Sequence, residues 1–498
     1  MIQEIENDFE CIKIDSSTVT GIIYDNDMQK HEDFTDPEHF ENPKRIYNIL
    51  EHLKKQQLLQ NQENRLQIVE KVEEINENLI TDVYGQEFLE IAKNKFPRAK
   101  KDDPELKVSF FDADTYANEH SFKAAKKSAQ SNILAVDKIM AQEWINSFCI
   151  VRPPGHHSGF HQNRPTGFCY FNNVVIASKY ALQKYSKQIK KIVILDWDIH
   201  YGDGTASLVE NDKNILYISM HQYDKGIFYP HTGKIENMGK DEGLGYNLNL
   251  PFDLMDKDQN LIGRMQNQDY AYLFERIVAP IIKDFKPDLT FISSGLDSCQ
   301  NDLLGDGELD IDGYAYLTKR VNDITNGRVI VNLEGGYNLD EIPFAAEGVL
   351  RGLMNEQLPI HNSINNLTQS QVKERCCPSE TVLQTAEQCI ENFQKYWTCL
   401  NTNKTALEID GGLDECFDKQ KEIKIEIQDK ETVTAGFLID YIAKNVIKSK
   451  PEFFVLNDEL RPGILVLIND ADWEIEGTVD AEINDRDKVC FISTLHGG

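Results

Sequence analysis

Five short apolar runs punctuate the chain between residues 145 and 335. They are "SFCIV" before Arg152, "KIVIL" before Asp196, "ILYIS" before Met220, "LTFIS" before Ser294 and "RVIVNL" before Glu334. Each is continuous rather than alternating, the pattern of strands buried on both faces of a parallel sheet. Helix-like segments separate several of them, among them "NNVVIASKYALQKY" and "YAYLFERIVAPIIKDF". This alternation predicts an open α/β fold with a mostly parallel sheet. Each run gives way to a loop rich in Gly, His, Asp or Tyr. In such sheets the carboxyl ends of the strands form the ligand crevice, so the chemistry is expected along one edge.

Beyond Leu358 the chain turns polar and irregular, and a helix-like stretch follows in "ETVLQTAEQCIENFQKYWTCL". After Asn401 the pattern changes. "EIKIEI" alternates as a half-buried strand does, and "TAGFLIDYIAKNVI" places Phe437, Tyr441, Ile442 and Val446 at helical spacing. "GILVLIND" and "KVCFIST" read as two more strands. Strand, helix and strands in so short a segment predict a small α+β domain. The expected division is a first domain over residues 17–400, a linker over 401–404 and a second domain over 405–498.

A chain of 498 residues is long enough for two or more domains. The formal net charge of −30 argues against a binder that works by neutralising nucleic-acid phosphates, and favours cationic partners such as lysine-rich segments. No apolar run is long enough to span a bilayer, so no membrane partner is expected. The start carries acids and no apolar leader region, and the ten cysteines follow no framework spacing. Reduced thiols in the cytoplasm or nucleus are the expectation.

The loops carry the candidate chemistry. In "DWDIH", Asp196, Asp198 and His200 point to one side of an extended segment. Asp297 in "SGLDS" stands at the end of another strand. One imidazole and two carboxylates converging there would make a three-ligand metal site with an open position, suited to Zn²⁺ and also to Fe²⁺. A solvated turn is the plainer reading of Asp-x-Asp-x-His. His156 and His157 in "RPPGHHSG" are candidate ligands, or a general base and acid. Tyr337 in "LEGGYN" is a candidate oxyanion donor or a core aromatic. Phe168 and Phe171 in "GFCYFNN" read as core packing.

"RPPGHHSG", "GFCYFNN", "DWDIHYGDGT", "SSGLDS" and "LEGGYN", in this order, resemble the histone deacetylase family, nearest its class II branch. The resemblance runs from about Gly21 to Leu400 and implies an arginase-like α/β fold. It also implies hydrolysis of acetyl-lysine amides in histone tails or cytosolic proteins. By the resemblance, Asp198, His200 and Asp297 bind Zn²⁺. His157 is the general base and then acid, and His156 its electrostatic partner. Asp196 and Asp203 stand behind these histidines, and Tyr337 donates to the substrate carbonyl oxygen. Phe168 and Tyr229 line the acyl-lysine channel, with Leu304 at its rim, and K⁺ sits near the strand carrying Asp196. The sequence departs from the family at Tyr201, in place of a second histidine, and at Asp203, where many class II members have Asn. Tyr229 replaces a usual Phe, and "HTG" follows Pro230. "DPEHFENPKR" matches the family's proline-rich stretch imperfectly, with Arg45 at its arginine.

From about Thr405 onward, "EIDGG", "RPGILVLINDADWE" and the final "FISTLHGG" resemble the ubiquitin-related modifier that doubles as a sulfur carrier. That resemblance implies a β-grasp fold. It further implies an ATP-dependent activating enzyme that converts the Gly498 carboxylate to a thiocarboxylate, for transfer-RNA thiolation or attachment to lysines. Gly497 and Gly498 carry no side chains, so the tail can thread a narrow channel, and Gly498 as last residue needs no processing protease. Residues 405–498 hold 21 Asp+Glu against 10 Lys+Arg. Three organisations follow: a bifunctional chain, a precursor or merged gene whose halves act separately, and a catalytically silent acyl-lysine-binding scaffold carrying the modifier. The complete ligand set and Tyr337 count against the third.

Overall fold

A computed structural model describes residues 19–60, 65–95, 108–159, 164–256, 258–356, 376–400, 403–410, 413–427, 433–456, 459–469, 471–483 and 487–493. The chain divides into two compact units, residues 1–396 and 397–498.

The large unit is built on one eight-stranded sheet. Its strands in chain order are β1 (Thr20–Ile23), β2 (Leu66–Val69), β3 (Asn146–Cys149), β4 (Ile192–Asp196), β5 (Ile215–Gln222), β6 (Asn247–Phe252), β7 (Leu289–Ser294) and β8 (Val329–Leu333). Their spatial order is β2-β1-β3-β8-β7-β4-β5-β6. Every neighbouring pair is parallel. The five apolar runs are β3, β4, β5, β7 and β8, and every residue of those five strands is buried. Burial on both faces is what the continuous runs encode, because no position along such a strand faces water.

Helices carry the chain back between the parallel strands. Asn173–Lys184 covers the first helix-like segment, capped by the Asn172 side chain, which accepts from the Val175 N–H. The second is one helical stretch, Asn267–Phe285, with a wider π-helical turn at Phe274–Val278. Glu380–Phe393 forms the late helix, burying Val382, Ala386, Cys389 and Phe393 along one stripe. Among the described residues, no helix is long and apolar enough to cross a membrane.

The small unit has its own sheet and core. Its strands are β9 (Asn403–Asp410), β10 (Glu422–Ile427), β11 (Ile464–Ile468), β12 (Ala471–Asp472) and β13 (Lys488–Ser493), in the order β10-β9-β13-β11-β12. The central β9–β13 pair is parallel and the flanking pairs are antiparallel. One helix, Ala435–Asn445, lies against this sheet in a single core. Its buried positions are Ala435, Leu438, Ile439 and Ile442, the i, i+3, i+4, i+7 stripe. Phe437, Tyr441 and Val446, expected on that face with Ile442, are partly buried at its margin. The mixed sheet with one packed helix is a β-grasp fold. Residues 494–498, including Gly498, lie outside the described residues.

Candidate active site

The four central strands of the large sheet, β3, β8, β7 and β4, stand side by side. Their carboxyl ends carry "RPPGHH", "EGGY", "GLD" and "DWDIH". Topology alone therefore gathers the candidate residues on one stretch of one edge.

The three metal-ligand candidates converge. Asp198, His200 and Asp297 are buried, each offering a ligand atom within 4.8 Å of the others. His200 Nδ1 lies 3.2 Å from Asp198 Oδ1 and 3.2 Å from Asp297 Oδ2. Backbone donors orient the carboxylates: His200 N–H and Gly335 N–H donate to Asp198, and Ile199 N–H donates to Asp297 Oδ1. Gly335 is there because nothing larger fits. A Cβ on it would lie 2.0 Å from Asp297 Oδ2 and 2.7 Å from Asp198 Oδ2.

The two histidines each have a carboxylate behind them. His156 Nδ1 is 3.2 Å from Asp196 Oδ2, and His157 Nδ1 is 2.8 Å from Asp203 Oδ1. The Tyr217 hydroxyl also donates to Asp196 Oδ2, at 2.9 Å. The turn itself hangs from Glu334 at the end of β8, whose Oε2 accepts from Gly155 N–H (2.7 Å) and His156 N–H (3.1 Å). Its start is fixed by Arg152, fully buried and forked onto Glu41 through Nε (2.8 Å) and Nη2 (2.5 Å).

Aromatic rings enclose the cluster. The Phe168 and Tyr337 rings meet edge to face at 5.7 Å, and Tyr229 meets His157 at 5.0 Å and His200 at 6.1 Å. Phe228 stacks on His200 at 5.1 Å. Phe171 is core, as expected, while Phe168 is half-buried. Leu304 is half-buried in the loop after β7. Arg45 is fully buried; its Nε and Nη2 donate to the carbonyls of Gly336 and Glu334, and its guanidinium lies 5.1 Å from the Tyr337 ring centre. Residues 160–163 lie outside the described residues.

The charges differ sharply over a few ångströms. Burial opposes a charge on His156, but Asp198 and Asp196 outweigh it and hold the ring's pKa well above the ordinary histidine value. Burial and the neighbouring His156 charge push His157 the other way, down to about 4. Burial also pushes the Tyr337 phenol well above its usual value, which keeps its proton. At the ligand cluster, burial and the Asp198 charge push Asp297 up to about 7, while the two carboxylates raise His200 to about 10 against its burial. Two buried carboxylates facing each other across an imidazole form a donor set short of positive charge. A divalent cation supplies that charge with the oxygen and nitrogen donors zinc takes. The residues fit the metal.

Comparison with known proteins adds the family. The histone deacetylase domain model matches residues 39–353. The chain belongs to the histone deacetylase family. The Urm1 (ubiquitin related modifier) model matches residues 404–498 of this deacetylase-family chain. Histone deacetylase HDA1 of Candida albicans is 34% identical over 371 residues, 71% of this chain and 43% of that protein. Histone deacetylase clr3 of Schizosaccharomyces pombe is 34% identical over 341 residues, 67% of this chain and 48% of that protein. The chain spans about half the length of the relatives it matches. The crystal structure of the HDA15 HD domain is similar with a TM-score of 0.65 at 31% identity, covering 77% of this chain and 96% of that one.

Sequence reading missed several residues that hold this deacetylase-family site together. Glu334, Tyr217 and Phe228, and the Arg152–Glu41 pair, have no expected role. Glu334 was within view, since it immediately precedes the two glycines of "LEGGYN". Tyr217 shares a strand face with Ser219 rather than with any motif, and carries no signal of its own.

Proposed function

We propose that the large unit is a zinc-dependent lysine deacetylase hydrolysing acetyl-lysine amides of histones or other proteins. The observation that carries this reading is one cluster: Asp198, His200 and Asp297 beside two carboxylate-backed histidines of opposite charge preference and a buried, protonated tyrosine.

Zn²⁺ held by Asp198, His200 and Asp297 supplies Lewis acidity, acidifying water and polarising a carbonyl. The protein's own groups do the rest. His157 Nδ1 faces Asp203, which fixes the tautomer and leaves Nε2 free to accept a proton. With its pKa pulled down, His157 is neutral at pH 7 and takes the proton of the attacking water. His156, kept charged, offsets the negative charge that develops. Tyr337 donates its hydroxyl proton in a hydrogen bond to the substrate carbonyl oxygen as that oxygen gains charge. His157 then delivers its proton to the departing lysine nitrogen. The amide C–N bond breaks, a C–O bond to water's oxygen forms, and acetate and a free lysine amine leave. Phe168 and Tyr229 would flank the lysine's methylene chain, with Leu304 at the rim.

For the small unit we propose a ubiquitin-like sulfur carrier and protein modifier. An ATP-dependent activating enzyme would adenylate Gly498 and exchange one carboxylate oxygen for sulfur, for transfer-RNA wobble-uridine thiolation or for conjugation. The match of residues 404–498 to the modifier family supports it.

The deacetylase test uses the full chain and an acetyl-lysine peptide, with release of acetate as the readout. Turnover should vanish on chelation and return with added zinc. A zinc-replete chain that releases no acetate, or a chelated chain that releases it at full rate, overturns the reading. The carrier test is intact mass after incubation with ATP, a sulfur donor and an activating enzyme. A mass gain of one sulfur less one oxygen should appear and should be lost when Gly498 is deleted.

A further inference from the structure

Tyr337 must place its hydroxyl to within about half an ångström to stabilise a developing oxyanion. It sits on a loop, residues 334–338, that follows β8, while the rim leucine Leu304 sits on a different loop after β7. One side chain joins the two. Asp302 Oδ2 accepts from Tyr337 N–H at 2.7 Å and from Asn338 N–H at 3.1 Å. Its other oxygen, Oδ1, accepts from Leu304 N–H at 2.9 Å. A single half-buried carboxylate thus closes its own turn with one edge and grips the tyrosine loop with the other.

A second tie runs outside it. Asn338 Nδ2 donates to the Asn301 carbonyl at 2.6 Å, and Glu341 accepts from Gln300 Nε2 at 2.9 Å and Asn301 Nδ2 at 3.2 Å. These groups are exposed, so water competes for them. The Asp302 bonds are part-buried, so water competes less for them, which makes them the stronger of the two ties.

We infer that Asp302 is a positioning residue for the deacetylase reaction: it acts through Tyr337, fixing the distance between the phenol and the channel rim. The inference rests on Tyr337 being the oxyanion donor. Only a carboxylate can do this, since both edges must accept. An asparagine offers one oxygen and one NH₂ group, and the NH₂ would face an N–H donor on one side or the other. A misplacement on the order of 1 Å in a reacting group costs about 10²-fold in rate.

The test is a cycle of four full-length, zinc-loaded chains: wild type, Asp302→Asn, Tyr337→Phe and the double variant. Asp302→Asn should lower kcat about 10- to 100-fold, with KM and bound zinc changed by no more than about 2-fold. In the Tyr337→Phe background the same substitution should cost less than about 3-fold, because the group it positions is gone. A purely structural role would instead lower kcat by the same factor in both backgrounds, or remove zinc, and either result overturns the inference while leaving the deacetylase reading intact. A Tyr337→Phe chain as fast as wild type overturns the reading of Tyr337 and this inference with it. Asp302→Ser is the second variant: its hydroxyl can still accept from Leu304 N–H but cannot reach Tyr337 N–H. If Asp302→Asn does not fold, Asp302→Ser replaces it in the same cycle, with the same expected loss and the same overturning result.

Discussion

The two sheets of this chain are stabilised by different physics. Among the described residues, every buried polar or charged side chain lies in the large unit, including Arg45, Arg152, Glu41, Asp196, Asp198, Asp297 and Glu334. The small unit's core is apolar throughout, from Leu407 on β9 to Phe491 on β13. A buried charge is tolerable only when it is paired and hydrogen-bonded, so each one fixes its partners. The large unit uses that rigidity to aim reactive groups at one point. Among the described residues, the small unit's core holds no buried charge; its fold supplies a firm last strand, and its proposed chemistry belongs to the residues that follow Ser493. Substitutions should therefore damage structure and chemistry together in the first unit, and structure alone in the second.

The largest effect expected is at the ligand cluster. Asp198→Ala should remove bound zinc and lower acetate release by about 10³-fold or more, read by metal analysis and turnover on the same sample. Breaking a buried pair away from the metal comes next. Arg152→Met removes one of the two guanidiniums on Glu41, leaving Arg45 at 3.1 Å as the other, and takes a donor from the Met28 and His31 carbonyls; it should destabilise the large unit by roughly 3 kcal/mol. Calorimetry should show that unit's transition moving down while the small unit's stays in place. The converse is Leu438→Ala, which empties a fully buried position in the small core and should cost roughly 2–5 kcal/mol there. Acetate release should be unchanged. A loss of turnover in Leu438→Ala would break the comparison.

Acid should separate the units as well. Burial pushes His31 and His221 down to about 4 from the usual 6.5. The unfolded chain then binds these protons first as pH falls. Stability is fully present above about 6.5 and is lost on the way down towards 4, by roughly 3 kcal/mol at most for each group. The small unit contains one histidine, His496. Glu334 and Asp297, raised to about 7 by burial, work the other way, since the folded chain takes their protons first. Melting at pH 7.5 and pH 5 should therefore show the His221 share as a difference. A His221→Gln chain should lose less on acidification than the parent, while the small unit's transition is the same in both. The smallest effect concerns the division itself. A chain ending at Leu400 should keep turnover within about 2-fold, since the two cores share no residue.

What the sequence made legible follows the same split. Continuous apolar runs announced five strands of the large sheet, because burial on both faces leaves no position along them facing water. The site motifs were legible because each sits at the carboxyl end of its strand. The ties between them were not. Arg45 reaches the Glu334 carbonyl across 289 residues, and Asp302 meets Tyr337 across 35. Neither pairing leaves a local pattern, since it depends on which strands the topology sets side by side. In the small unit, apolar residues outnumber the core positions on helix Ala435–Asn445. Phe437 and Tyr441 therefore looked like core beside the true stripe of Leu438, Ile439 and Ile442.

The central claim is a metal held at one point between Asp198, His200 and Asp297. Anomalous diffraction at the zinc edge, on crystals of the active, metal-replete chain, tests it most directly. The account predicts a single strong peak within bonding distance of one oxygen from each aspartate and of a His200 ring nitrogen. An active chain whose zinc lies elsewhere, or that shows no peak there, would contradict it.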